Sequence, residues 1–248
     1  MVKRVFISGG TSGIGLATVQ LFLKKGYLVG TTARNLQKKK DLVNSTNELK
    51  DNLNVQIADL SKIESLETIE TFLMEFKPEI LVNNAAVYAS NNLLETTHLE
   101  INSMFNTNFN SVVTLSKACL NNWKIEDKSG LILNVGSTLG NKPAPGTSLY
   151  SASKAALASL TQSIAMEYAP KVRANIIMPG VVATPIHSKV MGNNAAGAFQ
   201  KDMAAMHPLG RIGTPQEFAE ILFQLSQPAF EWMTGSVLNI DGGISLIT

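Results

Sequence analysis

Tyrosine 150 and Lys154 stand four residues apart in "YSASK", inside the small-residue stretch "SLYSASKAALASLTQSIAMEY". On a helix, residues i and i+4 share a face, so the phenol and the ammonium can converge on one site. A free tyrosine has a pKa of about 10, too high for easy proton exchange near neutrality. A nearby ammonium favours the phenolate and lowers that value. The pair could therefore move a proton to or from a substrate oxygen. Taken alone, such a pair is usually a surface tyrosine beside a solvated lysine, and the rest of the chain must decide.

A second chemical feature opens the chain. "VFISGGTSGIG" runs from a strand pattern into a helix pattern, with Gly9, Gly13 and Gly15 spaced G-x-x-x-G-x-G. Glycines there permit a tight turn and let backbone approach a pyrophosphate. The following helix offers free N–H groups and a positive dipole end to the anion. Leu16 and Ala17 follow Gly15 where a P-loop needs Lys and Ser/Thr, so a P-loop NTPase is excluded. The second strand ends in "TTARN", with no acid for a ribose 2′-hydroxyl but with Arg34. A guanidinium suits a 2′-phosphate, so NADP(H) is favoured, with NAD(H) as the alternative. Asp59, after "NVQIA", is a candidate contact for the adenine, while Ser61 reads equally well as a helix N-cap.

These features need a frame. Short apolar runs, "RVFIS", "YLVGTT", "NVQIA", "EILVN", "GLILNV", "VRANIIM" and "SVLNI", alternate with amphipathic segments such as "GLATVQLFLKKG" and "IESLETIETFLMEF". That alternation predicts an α/β fold, a doubly wound parallel sheet with helices on both faces. No Pro/Ser-rich linker or internal repeat divides the chain, so residues 1–248 read as a single domain. The stretch from about 185 to 208 breaks the alternation and reads as a substrate loop, with a small helix near 195–206 packing Phe199 and Met203 inward. Met191 and Met206 join them as candidates for an apolar pocket.

Composition narrows the function classes. The 248 residues are 45% apolar and carry a net charge of +2, which supports neither nucleic-acid nor membrane-surface binding. Lys38-Lys39-Lys40 reads as a solvated helix face. The lone Cys119 forbids an internal disulfide and reads as a buried hydrophobe. No apolar run approaches 18 residues and "MVKRVFISGG" lacks a secretory core, so a soluble cytoplasmic protein is expected. His98, His187 and His207 are scattered and give no metal site. Val135 and Leu139 flank Ser137 where a nucleophile elbow needs glycines, which excludes that class of hydrolase.

Taken together, "SGGTSGIG" (8–15), "DL" (59–60), "NNAA" (83–86), Asn108 in "NTNFN", Ser137 in "NVGS", "YSASK", "PGVVAT" (179–184) and "TGSVLNIDGG" (234–243) resemble the short-chain dehydrogenase/reductase family nearly end to end. The resemblance implies a Rossmann-type, three-layer α/β/α fold with about seven parallel strands. It also implies reversible hydride transfer between a nicotinamide and a carbonyl or secondary alcohol. The implied catalytic set is Asn108, Ser137, Tyr150 and Lys154. Ser137 would bind the substrate oxygen, Tyr150 would act as general acid/base, Lys154 would tune it, and Asn108 would hold a relaying water. The implied cofactor contacts include Thr11, Ser12 and Ile14 with the three glycines, and Leu60 with Asp59. Asn84 and Ala85 follow from "NNAA", and Pro179, Gly180, Val182 and Thr184 from "PGVVAT". Tyr150 and Lys154 would also touch the nicotinamide end.

Ser8 stands where the family often has Thr, and a hydroxyl is kept. The fourth residue of "NNAA" is Ala86 where the family has Gly, which would cost on the order of 1 kcal/mol if φ must be positive. The substrate implied first is a 3-oxoacyl-ACP. An NAD-dependent sugar or alcohol dehydrogenase and a non-catalytic dinucleotide sensor are the alternatives. Lys124 and Lys128 are mixed with Glu126 and Asp127, which gives no convincing basic patch for an acidic carrier. Many relatives are tetramers, so a homotetramer, or a homodimer, is expected; Ala155, Ala158 and Ser159 would permit close helix approach or pack on the sheet.

Overall fold

The computed structural model describes residues 2–247, leaving aside the side chains of residues 47, 48 and 189. Residues 1 and 248 of the expected domain lie outside the described residues. Seven strands, β1 (Arg4–Ile7), β2 (Leu28–Ala33), β3 (Leu53–Ile57), β4 (Ile80–Asn83), β5 (Gly130–Val135), β6 (Val172–Pro179) and β7 (Val237–Ile240), form one sheet in the order β3-β2-β1-β4-β5-β6-β7. Every neighbouring pair is parallel. The strand patterns read from the sequence therefore form the doubly wound sheet expected of them.

The helices are α1 (Gly13–Lys24), α2 (Leu36–Ser45), α3 (Ile63–Phe76), α4 (His98–Phe105), α5 (Ser111–Ile125), α6 (Ser148–Tyr168), α7 (Pro185–Met191), α8 (Asn193–Met206) and α9 (Pro215–Leu225). Successive strand residues point to opposite faces, and both faces are covered. Val5, Ile7, Val82 and Leu133 pack with Phe22 of α1 and Leu222 of α9 on one side. Phe6, Leu81 and Ile132 pack with Leu73 of α3 and Leu115 of α5 on the other.

The strand order reverses between β1 and β4, where a crevice opens beyond the carboxyl ends of the strands; ligands of such sheets bind at this switch point. The segment from 185 to 208 holds two helices where one was expected. α8 covers the expected 195–206, and α7 precedes it. Gly192, at φ +79°, separates them. The signal for α7 was Thr184-Pro185, an N-cap type followed by proline at the first helical position.

Candidate active site

At the switch point, the buried hydroxyl of Ser8 accepts hydrogen bonds from the backbone N–H groups of Asn84 (3.0 Å) and Ala85 (3.1 Å). The Asn84 carboxamide donates back to the carbonyls of Ser8 (3.0 Å) and Gly9 (3.3 Å). These bonds stitch the end of β4 to the glycine turn after β1. Gly9 (φ +71°) and Gly13 (φ +54°) occupy the left-handed region. A Cβ on Gly9 would come within 2.9 Å of Ala85 Cα, and one on Gly15 within 2.3 Å of the Gly9 carbonyl. The turn is thus a close-approach surface that side chains would fill.

Ser12, the N-cap of α1, is extended and makes no side-chain cap, and no acid lies in the first turn. The first N–H groups of α1 are left for an anion, as a pyrophosphate site requires. The chain therefore fits a dinucleotide on the chemistry of its own turn.

A cavity of about 1010 Å³ runs from this turn to Tyr150. It is lined by Gly9, Thr11, Ser12, Gly13, Ile14, Arg34, Asp59, Leu60, Asn84, Ala85, Ser137, Tyr150, Lys154, Pro179, Gly180, Val182 and Thr184. Two residues expected at the site do not line it. Gly15 packs beneath the turn, and Asn108 is fully buried behind the wall.

Arg34 is exposed at the end of β2, and Asn35 and Lys38 line the cavity beside it. Lys38, expected on a solvated face, adds a second cation there. At Asp59 burial would raise the carboxyl pKa. Hydrogen bonds from the side chain and backbone of Ser61, with the charges of Arg34 and Lys62, outweigh burial and hold it below the usual range. Ser61 is not a helix N-cap: it satisfies Asp59, and Lys62 is the capping position of α3.

Tyr150 and Lys154 lie on the first turns of α6, both buried. The Lys154 ammonium donates to the carbonyl of Val135 at the end of β5 (2.8 Å) and lies 5.7 Å from the Tyr150 ring centroid. Burial pushes Lys154 down to about 8. Burial also pushes the Tyr150 phenol up to about 12; Ser137 pulls the other way and the Tyr88 phenol adds to the rise. The lowering expected from Lys154 is not among the influences on the phenol, and desolvation sets the direction of the shift.

Ser137 is extended, and its hydroxyl accepts from the N–H of Leu139 (3.2 Å). Asn108 sits in a π-helical turn, Asn106–Asn110, between α4 and α5. Such single turns recur at functional sites. Its carboxamide accepts from the N–H of Val87 (2.8 Å) and donates to the Val87 carbonyl (3.0 Å) and the Ser153 hydroxyl (3.2 Å). Ser153 in turn donates to the carbonyl of Tyr150 (2.7 Å). Asn108 thereby ties the loop after β4 to the first turn of α6. Ala86 in that loop carries no strain, because the non-glycine residues with positive φ among the described residues are Lys77 and Asp127.

Several residues enter the site that sequence reasoning did not place there. The Tyr88 ring stands edge-on to Tyr150, with centroids 5.0 Å apart. Beneath the site, Asn83 donates to Asn134 (2.9 Å) and Asn134 to Thr161 (2.8 Å), which locks β4, β5 and α6 together. Ile244, Ser245 and Ile247 line the cavity, as do Met191, Phe199, Met203 and Met206. A tyrosine two residues after "NNAA" and an apolar tail after "DGG" were the available signals. On α6, Ala158 is buried against the sheet side while Ala155 and Ser159 are exposed, so the three are not one outer stripe.

Residues 9–245 match the family model described as "Enoyl-(Acyl carrier protein) reductase". The solved "short chain dehydrogenase/reductase family protein" superposes with a TM-score of 0.87 at 30% identity, covering 99% of this chain and 98% of its own. The chain is a short-chain dehydrogenase/reductase. As a member of that family it is an NAD(P)-dependent oxidoreductase. This short-chain dehydrogenase/reductase is 30% identical to the 3-oxoacyl-[acyl-carrier-protein] reductase FabG of Chlamydia pneumoniae, over 98% of this chain and 97% of the relative. It is 31% identical to carbonyl reductase family member 4 of Xenopus laevis, over 99% of each. The solved structure titled "ElxO with NADP Bound" superposes over the full length of both chains, with a TM-score of 0.89 at 30% identity.

Proposed function

We propose that this short-chain dehydrogenase/reductase reduces a carbonyl to a secondary alcohol with NADPH, that Tyr150 is its general acid/base, and that its substrate is 3-oxoacyl-like. One observation carries the reading: Tyr150, Ser137 and Lys154 line the same cavity as the uncapped turn before α1. The chain works as one catalytic domain whose segment from about 185 to 208 is the substrate loop.

When bound, the nicotinamide supplies the hydride, and the chain supplies position and the proton. Thr11, Ser12 and the Gly9–Gly13 turn bind the phosphates. Arg34 and Lys38 flank the ribose end and favour a 2′-phosphate over a hydroxyl. The Ser137 hydroxyl orients the substrate oxygen beside the Tyr150 phenol. Burial pushes the phenol up to about 12, so it carries its proton near neutrality, and its transfer to the oxygen relies on the positive charge at the site, Lys154 first, to favour the phenolate as the proton leaves. Lys154 holds its charge against the Val135 carbonyl and orients the nicotinamide ribose. Asn108 acts as a positioning residue through Val87 and Ser153, and a water held beside it would relay protons toward Lys154.

The apolar groups Met191, Phe199, Met203 and Met206 suit an acyl chain better than a sugar. The relatives named as 3-oxoacyl and carbonyl reductases point the same way. A pure sensor has no use for Ser137 and Tyr150 together at the cavity wall. A homotetramer with the exposed Ala155 and Ser159 of α6 near a subunit contact completes the proposal, and light scattering tests it.

The deciding experiment is NADPH oxidation with a panel of 3-oxo esters, comparing wild type with Tyr150→Phe. Removal of a positioned general acid is expected to lower kcat by about 10²–10⁴-fold while NADPH still binds. Equal turnover by the two proteins would overturn the mechanism, and NADPH binding without turnover of any carbonyl would favour the sensor.

A further inference from the structure

Three rings continue from Tyr150 along the wall of the cavity. Tyr88 meets Tyr150 edge-on at 5.0 Å, His187 of α7 meets Tyr88 at 5.4 Å and 72°, and Phe199 of α8 meets His187 at 4.9 Å. All four line the cavity. His187 is the polar member of the outer part of this ladder, and its immediate ring partners are aromatic. Its Nδ1 is sealed from solvent and has no hydrogen-bond partner among the described residues.

A buried N–H without a partner is rarer and more costly than an unpaired acceptor. The sealed nitrogen is therefore the bare one, and the proton of the neutral ring resides on Nε2, the nitrogen that is not sealed off. Burial lowers the affinity of the ring for a second proton, and no charged group contributes to that shift. The imidazole thus offers one neutral N–H donor in an apolar stretch of the wall, two ring contacts away from Tyr150.

We infer that His187 is a substrate-recognition residue, donating through Nε2–H to a neutral carbonyl-type oxygen on the substrate arm, distinct from the oxygen that is reduced. The surroundings argue for a neutral acceptor. Met191, Phe199 and Met203 line the same region, and a carboxylate placed among them would be desolvated without a full counter-charge. The substrate class is a ketone bearing an ester, thioester or amide carbonyl along an otherwise apolar arm. This inference rests on the carbonyl-reductase reading.

The test uses two probe ketones of equal chain length, ethyl 3-oxohexanoate and 4-nonanone. The second replaces the ester by methylenes. The quantity read is the ratio of their kcat/KM values with NADPH, in wild type, His187→Phe and His187→Gln. Because the intrinsic reactivities of the ketones cancel between proteins, the change in ratio isolates the ester oxygen. His187→Phe keeps a ring in the ladder and removes the donor; the ratio is expected to fall about fivefold to tenfold, mostly through KM. His187→Gln returns an N–H donor and is expected to recover part of the ratio. Nitrogen NMR of the histidine rings is expected to show protonated Nε2 and bare Nδ1 at His187, with Nε2 shifting when ethyl 3-oxohexanoate is added. A ratio unchanged in His187→Phe, however much both activities fall, overturns the inference alone and leaves His187 a packing residue. Failure of wild type to reduce either ketone overturns the carbonyl-reductase reading, and this inference with it.

Discussion

The ammonium of Lys154 donates to the backbone carbonyl of Val135, 2.8 Å away, at the carboxyl end of β5. A lysine 2% exposed is thus held against a peptide dipole, with no carboxylate among the influences on its pKa. The cost of burying that charge has a measurable pH signature.

Lys154 is pushed from 10.5 down to about 8, so at higher pH the folded chain gives up a proton that the unfolded chain still holds. Stability therefore rises with pH between about 8 and 10, below the range in which the raised Tyr150 phenol begins to act in the opposite direction. Two pH units across that window correspond to an upper bound on the order of 3 kcal/mol. The difference in urea unfolding free energy between wild type and Lys154→Met is expected to climb across the window. A flat difference would show that the ammonium is better solvated than its geometry implies.

Gly15→Ala places a methyl 2.3 Å from the Gly9 carbonyl and 2.4 Å from the Asn84 amide nitrogen. Overpacking of this kind costs about 1–3 kcal/mol. Thermal unfolding is expected to show the loss, together with weaker NADPH binding by titration, although Gly15 does not line the cavity. Native stability with native NADPH affinity would mean that the turn relaxes at no cost.

Arg34→Ala is expected to lower the NADPH-over-NADH ratio of kcat/KM at least tenfold, because a bidentate guanidinium–phosphate pair is lost. Lys38→Ala, which removes a flexible point charge already 3.7 Å from Asp41, is expected to lower it less. An unchanged ratio in Arg34→Ala would show that Arg34 does not read the ribose end.

Asn108→Ala leaves both backbone groups of Val87 without their partner. A loss of about 2 kcal/mol in stability is expected. Amide exchange at Val87 should accelerate in this variant and not in Ser137→Ala, which distinguishes local loosening from a general loss of activity. Unchanged exchange at Val87 would refute the tie between this loop and α6.

The strands were legible because a strand buried on both faces is an uninterrupted apolar run, and "GLILNV" can be little else. The glycine turn was legible because the backbone geometry it needs excludes other residues at Gly9 and Gly13. The partner of Lys154 was not, since a backbone carbonyl leaves no mark in the sequence. Without it, the pair in "YSASK" suggested a lowered phenol pKa, whereas burial raises it. Asn108 was visible as a member of the set, but its depth behind the wall depends on a π-helical turn without a compositional signature. Tyr88 and the 244–247 segment enter the site only through tertiary placement, and α7 was hidden because its seven residues are too few to show a helical period.

Most of the wall around the reacting end comes from four separated stretches, 84–90, 135–154, 179–206 and 244–247, with Thr107 added from the π-helical turn. Inheritance of a new specificity by exchange of one contiguous block would therefore bring mismatched neighbours from the other three. A new specificity is therefore expected to need scattered single substitutions, each fitted to walls that stay put. A library aimed at altering the preferred ketone should sample positions from all four stretches at once, because a cassette drawn from the 185–208 segment alone would change one side of a room whose other three sides still fit the former guest.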